Sequence, residues 1–277
     1  MLAAAFATVI LAPSFLYGVA VDGPRVAYAD TSCRVSIWQA GRTTRLGATP
    51  CIERTSTGSG LAGLALAGGR ALWVTYTGGN IREFTLWTAT RTRPRPRRLA
   101  FATSDVDAAP AVTVGDGDDD LLPYAVNRAV VVLGANGARR FAWTAPAPVT
   151  AVDAFAGEVA VATAGGLVTV LDGNGRVLHE ESFGPDVYSL QISGSSLVAQ
   201  VGRSLEIRGG TSNKRIPLRG DLRLVGAGGG RAALLGRDGA HLLDLGTGKK
   251  SSLGPARQAR VDGVRVVTAN GRRIVVR

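Results

Sequence analysis

Along the chain, short runs of alternating apolar and polar positions recur. Each ends at a glycine-containing turn, after which a similar run begins. The clearest copies are GVAVDGPRVAYA, LALAGGRALWVTY, VDAFAGEVAVAT, LQISGSSLVAQV, LVGAGGGRAALLG and ARVDGVRVVTAN, with turn glycines Gly23, Gly69, Gly157, Gly194, Gly230 and Gly263. A degenerate copy, AVTVGDGDDDLLPYAV around Gly117, halves the gap between Gly69 and Gly157, so the turns mark seven units spaced 33 to 48 residues apart. A period of two argues for strands, and glycine at the turns supplies the positive φ that tight hairpins need. No stretch carries an apolar period of 3.6 over a dozen residues, so no long helix is expected.

Each unit continues in the same style. A second turn follows about nine residues later, as at Gly78-Gly79, Asn127-Arg128, Gly165-Gly166, Gly202-Arg203, Asp238-Gly239 and Asn270-Gly271. A short third strand comes next (VSIWQ, REFTLW, VVVLG, VTVLD, LEIR, HLLDL, RIVV). In most units a third turn such as Asn136-Gly137, Asn174-Gly175 or Thr247-Gly248 then leads to a fourth strand. Four antiparallel strands repeated seven times predict an all-β, seven-bladed β-propeller. A blade has two apolar faces and buries both only between neighbours, which is why the period carries the fold reading. A pair of β-sandwiches, or a six-bladed ring lacking the divergent third unit, are the competing readings. The seventh unit reaches Arg277 after its third strand, so either it stays three-stranded or the N-terminal AAAFATVILA supplies the fourth strand.

Composition narrows the class. The chain has 277 residues, 45% hydrophobic, and 37 glycines without a three-residue period, which excludes a disordered polymer and collagen. It contains no internal run of about 20 apolar residues. The net charge of +11 is nearly all arginine, spread along the chain and not clustered between aromatics, so nucleic acid is not the expected partner. Residues 1–21 carry no charged side chain. Residues 1–13 therefore read as a shortened signal peptide or as the closing strand, with 14–277 as one propeller domain and an extracytoplasmic or secreted location.

The only cysteines, Cys33 and Cys51, flank VSIWQ, a turn around Ala40-Gly41-Arg42, and TTRLGA. With the hairpin centred on position 42 they would face each other, close enough to bridge. Such a bridge would stabilise the fold by about 3 kcal/mol and suit an oxidising compartment.

Candidate chemistry is sparse. Asp116, Asp118 and Asp120 alternate as calcium ligands do, but Leu121 and Asn127 stand where an EF-hand loop needs Gly and Glu, which favours an acidic exposed hairpin. Arg91, Arg93, Arg95, Arg97 and Arg98 lie in RTRPRPRR, read as a stiff protruding loop between third and fourth strands, with an anionic partner as its functional reading. The two histidines, His179 and His241, fall in units four and six with no G-x-S-x-G elbow, so no catalytic triad is expected. The glycine run 226–230 precedes Arg231 and reads as a hairpin turn, not a dinucleotide loop.

The stretches VTVLDGNGRVL (168–178) and HLLDLGTGKKSSL (241–253) resemble the third-strand, turn and fourth-strand signature of the WD-repeat, TolB-type and quinoprotein-like propeller superfamily. ALWVTYTGGNIREF (71–84) is similar to one repeat of the streptogramin-lyase and surface-layer propellers. The Gly-His and Trp-Asp pairs of true WD repeats and the repeated tryptophan signature of quinoprotein blades are absent. The resemblance implies a scaffold. The expected function is a non-catalytic propeller that needs no cofactor, acts as a monomer and binds a partner protein, glycan or small ligand. The alternative is a lyase- or hydrolase-type propeller enzyme using His179 or His241 with loop carboxylates.

Overall fold

A computed structural model describes residues 7–49, 58–118, 120–185, 187–209, 213–263 and 265–277. They form 28 strands in seven four-stranded antiparallel sheets. The chain opens with β1 (Thr8–Leu11). Blade 1 follows as β2 (Leu16–Asp22), β3 (Arg25–Asp30), β4 (Val35–Gln39) and β5 (Arg42–Arg45). Blade 2 is β6 (Ser59–Ala67), β7 (Arg70–Gly78), β8 (Ile81–Thr90) and β9 (Arg97–Asp105). Blade 3 is β10 (Val112–Val114), β11 (Leu122–Val126), β12 (Ala129–Leu133) and β13 (Arg139–Thr144). Blade 4 is β14 (Val149–Phe155), β15 (Glu158–Thr163), β16 (Leu167–Asp172) and β17 (Val177–Ser182). Blade 5 is β18 (Val187–Ser193), β19 (Ser196–Val201), β20 (Ser204–Gly209) and β21 (Lys214–Pro217). Blade 6 is β22 (Arg223–Gly228), β23 (Arg231–Gly236), β24 (Gly239–Asp244) and β25 (Lys250–Gly254). Blade 7 is β26 (Gln258–Asp262), β27 (Arg265–Asn270) and β28 (Arg273–Val276), completed on its outer edge by β1.

The sequence left the fourth strand of the last blade open between two answers, and the structure gives the second. β1 pairs antiparallel with β28, Thr8 opposite Val276 and Leu11 opposite Arg273. Beyond the strand, Ala12 N–H donates to Arg272 O at 2.8 Å and Arg272 Nε donates back to Ala12 O at 3.0 Å.

Side-chain alternation explains why the second strands read as continuous apolar runs. In β3, Ala27 and Ala29 face blade 2, while Val26 and Tyr28 face blade 7. In β7, Ala71 and Trp73 pack on blade 1, and Leu72 and Val74 on blade 3. In β23, Ala232 and Leu234 meet blade 5, and Ala233 and Leu235 meet blade 7. Successive residues of a strand point to opposite faces, so a sheet packed on both sides needs apolar residues at every position. Seven buried clusters result, one for each pair of successive blades. The seventh joins Ile10, Val267 and Ile274 of blade 7 to Val19, Val21 and Val26 of blade 1. The order of packing thereby returns to its start. Outer strands are polar and exposed, as in RTTR of β5 and VLHEES of β17, which is where a basic chain can carry its arginines at little cost.

Candidate functional site

Within each blade the first–second and third–fourth turns emerge on one face, here called lower. The second–third turns and the linkers between blades emerge on the other, upper face. On the lower face, residues at the ends of the inner strands hook each blade to the next. Asp22 Oδ2 accepts Gly68 N–H at 2.7 Å, Ser193 Oγ accepts Gly230 N–H at 3.1 Å, and Asp262 Oδ2 accepts Gly23 N–H at 2.5 Å. Asp118 Oδ2 accepts Ala156 N–H in the same manner between blades 3 and 4. These side-chain oxygens satisfy turn amides of the neighbouring blade.

At the axis, Asp116, Asp153, Gln191 and Asp262 line a cavity of about 20 Å³, room for roughly one water. Asp153 is buried; its Oδ2 accepts Ile192 N–H at 2.6 Å, while among the described residues no hydrogen bond to Oδ1 is found. Burial holds the Asp153 carboxyl well above the ordinary carboxylate range, and the nearby Asp116 charge pushes it further up. Asp116 is also raised by burial, although Arg260 lies beside it, Nε to Oδ1 3.5 Å, and opposes the shift. Two buried acids with one guanidinium between them favour holding a proton over holding two full charges. This cluster is too small and too enclosed to receive an organic substrate.

The upper face offers an open groove of about 730 Å³ across blades 6, 7 and 1. Its floor includes Leu16 and Leu235, and Phe15, Tyr17, Arg223, Arg237 and Arg257 stand around it. Tyr17 is the extra residue of a bulge, since Leu16 pairs with Asp30 and Gly18 with Ala29. A bulge re-aims the side chain it inserts, and Tyr17 is left 46% exposed beside Phe15, which is 64% exposed. The groove is braced by Gln258 Nε2 donating to Tyr17 O at 2.9 Å and Thr31 N–H donating to Phe15 O at 2.9 Å. Arg237 pairs with Asp221 at 3.2 Å; among the described residues, Arg223 and Arg257 form no ion pair. The size and the mixture of aromatic and cationic groups match a ligand cleft.

The residues singled out from the sequence fall in separate places. Asp116 faces Arg260, Asp118 holds Ala156 N–H, and Asp120 pairs with Arg140 and accepts Ala135 N–H at 3.0 Å, so the three point to three different partners. Among the described residues no three His, Cys, Asp or Glu side chains are grouped to hold a metal ion. His179 is exposed on β17. His241 is buried on β24 with Nε2 3.1 Å from Asp238 Oδ1, and neither histidine lines the axial cavity.

The arginine run departs from its expected form. It does not protrude freely: Gly47 N–H donates to Pro94 O at 2.7 Å, which ties the loop to blade 1, and Arg97 and Arg98 already belong to β9. Arg91 donates to Gln39 Oε1, again toward blade 1. Arg93, Arg95 and Arg97 line a pocket on the lower face, and Arg98 is exposed outside it.

The hairpin register expected for the cysteines is also corrected. Ala40 and Gly41, with φ of 49° and 78°, form a two-residue turn that pairs Gln39 with Arg42. Continued along that register, position 48 and not 51 would face Cys33. Both central residues of this turn adopt positive φ, as a tight hairpin demands, so the turn is centred between Ala40 and Gly41 and not on position 42. Cys33 is wholly buried, and Cys51 lies outside the described residues.

Of the axial aspartates sequence reasoning singled out Asp116 alone, as a calcium candidate; it named neither Asp153 and Asp262 nor the upper groove. Asp22-Gly23 and Asp262-Gly263 repeat one dipeptide at equivalent turns, a signal that was present. Phe15 and Tyr17 carried none, because nothing in an alternating pattern announces a bulge.

No protein-family model matches the chain, and no curated protein matches it. Among solved structures, the chain is similar to the crystal structure of the computationally designed Ika8 protein, with a TM-score of 0.51 over 96% of both chains and 13% sequence identity. At that identity the likeness is one of fold alone.

Proposed function

We propose that this protein is a non-catalytic, exported propeller scaffold that binds an acidic glycan in the upper groove. The observation that carries the reading is the exposed pair Phe15 and Tyr17 sharing an open cleft with Arg223, Arg237 and Arg257, of which, among the described residues, only Arg237 is paired to a carboxylate. Aromatic faces stack on the apolar faces of sugar rings, and guanidinium groups take carboxylates in a two-pronged geometry. Export is supported by the pair of cysteines, for which we propose a Cys33–Cys51 bridge.

The test is calorimetric titration of the purified chain with oligogalacturonate, followed by sizing of the recovered oligosaccharide. The reading predicts saturable binding, weakened at least tenfold by Phe15→Ala with Tyr17→Ala and by Arg223→Gln with Arg257→Gln, and an unshortened oligosaccharide. Absence of saturable binding, or binding unchanged in both variants, overturns the site. A shortened oligosaccharide overturns the non-catalytic assignment.

A further inference from the structure

On the lower face, between blades 2 and 3, lies a second pocket of about 500 Å³ with a different chemistry. Arg70, Arg93, Arg95 and Arg97 line it together with Thr88 and Asn136, and among the described residues no carboxylate lines it. Arg70 opens β7 and is only partly exposed. Its guanidinium is fixed by neutral acceptors: Nε donates to Ala135 O at 3.1 Å, Nη1 to Thr88 Oγ1 at 3.1 Å and Nη2 to Asn136 O at 3.0 Å. Three of its five N–H groups are used, and two remain. Gly137, at φ 84°, makes this seat possible, because a Cβ there would lie 2.6 Å from the Arg70 Cζ. The third–fourth turn of blade 3 is thus shaped around a guanidinium supplied by blade 2.

Nothing in the fold requires four arginines to converge here. Among the described residues none of the four has a salt bridge to a carboxylate, whereas Arg25, Arg140, Arg208, Arg215, Arg237 and Arg260 each do. Burial, with the charges of Arg97 and Arg93, holds Arg70 below its ordinary pKa, an unrelieved concentration of positive charge. The loop that carries Arg93 and Arg95 is held in place by Thr90 N–H donating to Arg93 O at 3.1 Å and by the tie from Gly47 to Pro94. The cations are therefore presented, not left to disperse into solvent.

We propose that this pocket binds a doubly charged tetrahedral oxyanion of the phosphate or sulfate type, seated on Arg70 and enclosed by Arg93, Arg95 and Arg97. A planar carboxylate accepts from one fork at a time, but a tetrahedral anion presents oxygens to donors arriving from separate strands and turns, here β7, the β8–β9 turn and β9 of blade 2. The site is separate from the upper groove and needs nothing from it.

The test is calorimetric titration of the full chain with inorganic phosphate, sulfate and methyl phosphate at constant ionic strength set with chloride. Methyl phosphate separates an ester from a free ion as the occupant. Saturable one-to-one binding is expected, falling at least tenfold in Arg70→Gln and in the double variant Arg93→Gln, Arg97→Gln, with Arg98→Gln unchanged. The double variant alters only exposed side chains, so it decides the matter even where Arg70→Gln fails to fold. No saturable heat with any of the three anions, or an affinity the double variant leaves intact, overturns the proposal.

Discussion

Asp262 and Gly23 stand 239 positions apart in the chain and are joined by a 2.5 Å hydrogen bond from the Gly23 amide to Asp262 Oδ2. The same glycine is gripped from its other side, since Arg265 donates to Gly23 O. Blade 7 thus holds both polar groups of one peptide turn in blade 1. Asp262→Ala leaves a partly buried amide without its acceptor and is expected to cost about 1–3 kcal/mol. Urea denaturation followed by intrinsic fluorescence measures the loss. An unchanged midpoint would show that the seam does not depend on this bond.

The strand β1 makes a second prediction. Removing residues 1–12 strips β28 of its partner and uncovers the seventh cluster, in which Ile10 is 5% exposed. Ile10 alone accounts for about 1.5–3 kcal/mol of apolar burial. The shortened chain should melt at a lower temperature and associate through the bare edge of β28, because an unpaired edge recruits other strands. Calorimetry and light scattering on the two chains read both effects. Cleavage of a leader near Pro13 would produce this same truncated molecule.

Acid and base should destabilise the ring for different reasons. Asp153 and Asp116 have carboxyls raised by burial, so the folded state holds protons that the unfolded chain releases. Their contribution is complete below about pH 4 and is lost as pH rises through the raised values. Asp172 and Asp244 are lowered by turn N–H donors, and Asp238 by its hydrogen bond to His241. Their contribution is present above about pH 4 and is lost as pH falls through the lowered values. Maximum stability is therefore expected in mildly acidic solution. In Asp153→Asn, an amide oxygen can still accept Ile192 N–H, and the loss toward high pH should shrink by about 1.4 kcal/mol for each pKa unit removed. Urea midpoints from pH 4.5 to 9 for both proteins give the slopes; parallel slopes would refute the buried-acid account.

Neighbouring glycines in one turn should respond very differently. Gly165 and Gly166 both have positive φ, 96° and 81°, yet a Cβ at 165 meets open space whereas one at 166 lies 1.5 Å from Gly184 O. Gly165→Ala pays only the backbone strain, about 1–2 kcal/mol. Gly166→Ala must also displace the segment around Gly184 and should yield little folded protein. Thermal melts of the pair, with soluble yield, check the contrast.

Most of the architecture was legible because each blade repeats the same local instructions. Gly69, Gly157 and Gly230 mark the first turns, and continuous apolar runs such as ALWV and VAVA state that second strands are buried on both faces. What was not legible depends on placement around the axis. Asp22, Asp116, Asp153 and Asp262 come from four different blades, and no local pattern says that a strand end meets the channel and not solvent. The Tyr17 bulge and the two-residue turn at Ala40-Gly41 were missed for a related reason, since each shifts register by a small step that alternation alone does not encode. Arg70 was overlooked beside the conspicuous RTRPRPRR because its neighbours in the pocket lie in another turn and another blade.

The most direct test of the seven-bladed ring is hydrogen exchange of the full chain, read by mass spectrometry on peptides covering residues 7–12 and 273–277. Pairing of β1 with β28 places the Thr8 and Ile10 amides in the same hydrogen-bonded register as Ala12 N–H on Arg272 O, and predicts that they exchange as slowly as the amides of β28 and that both segments open together. Exchange of residues 8–11 at the rate of an unstructured peptide, with β28 still protected, would contradict a ring closed by its own first strand.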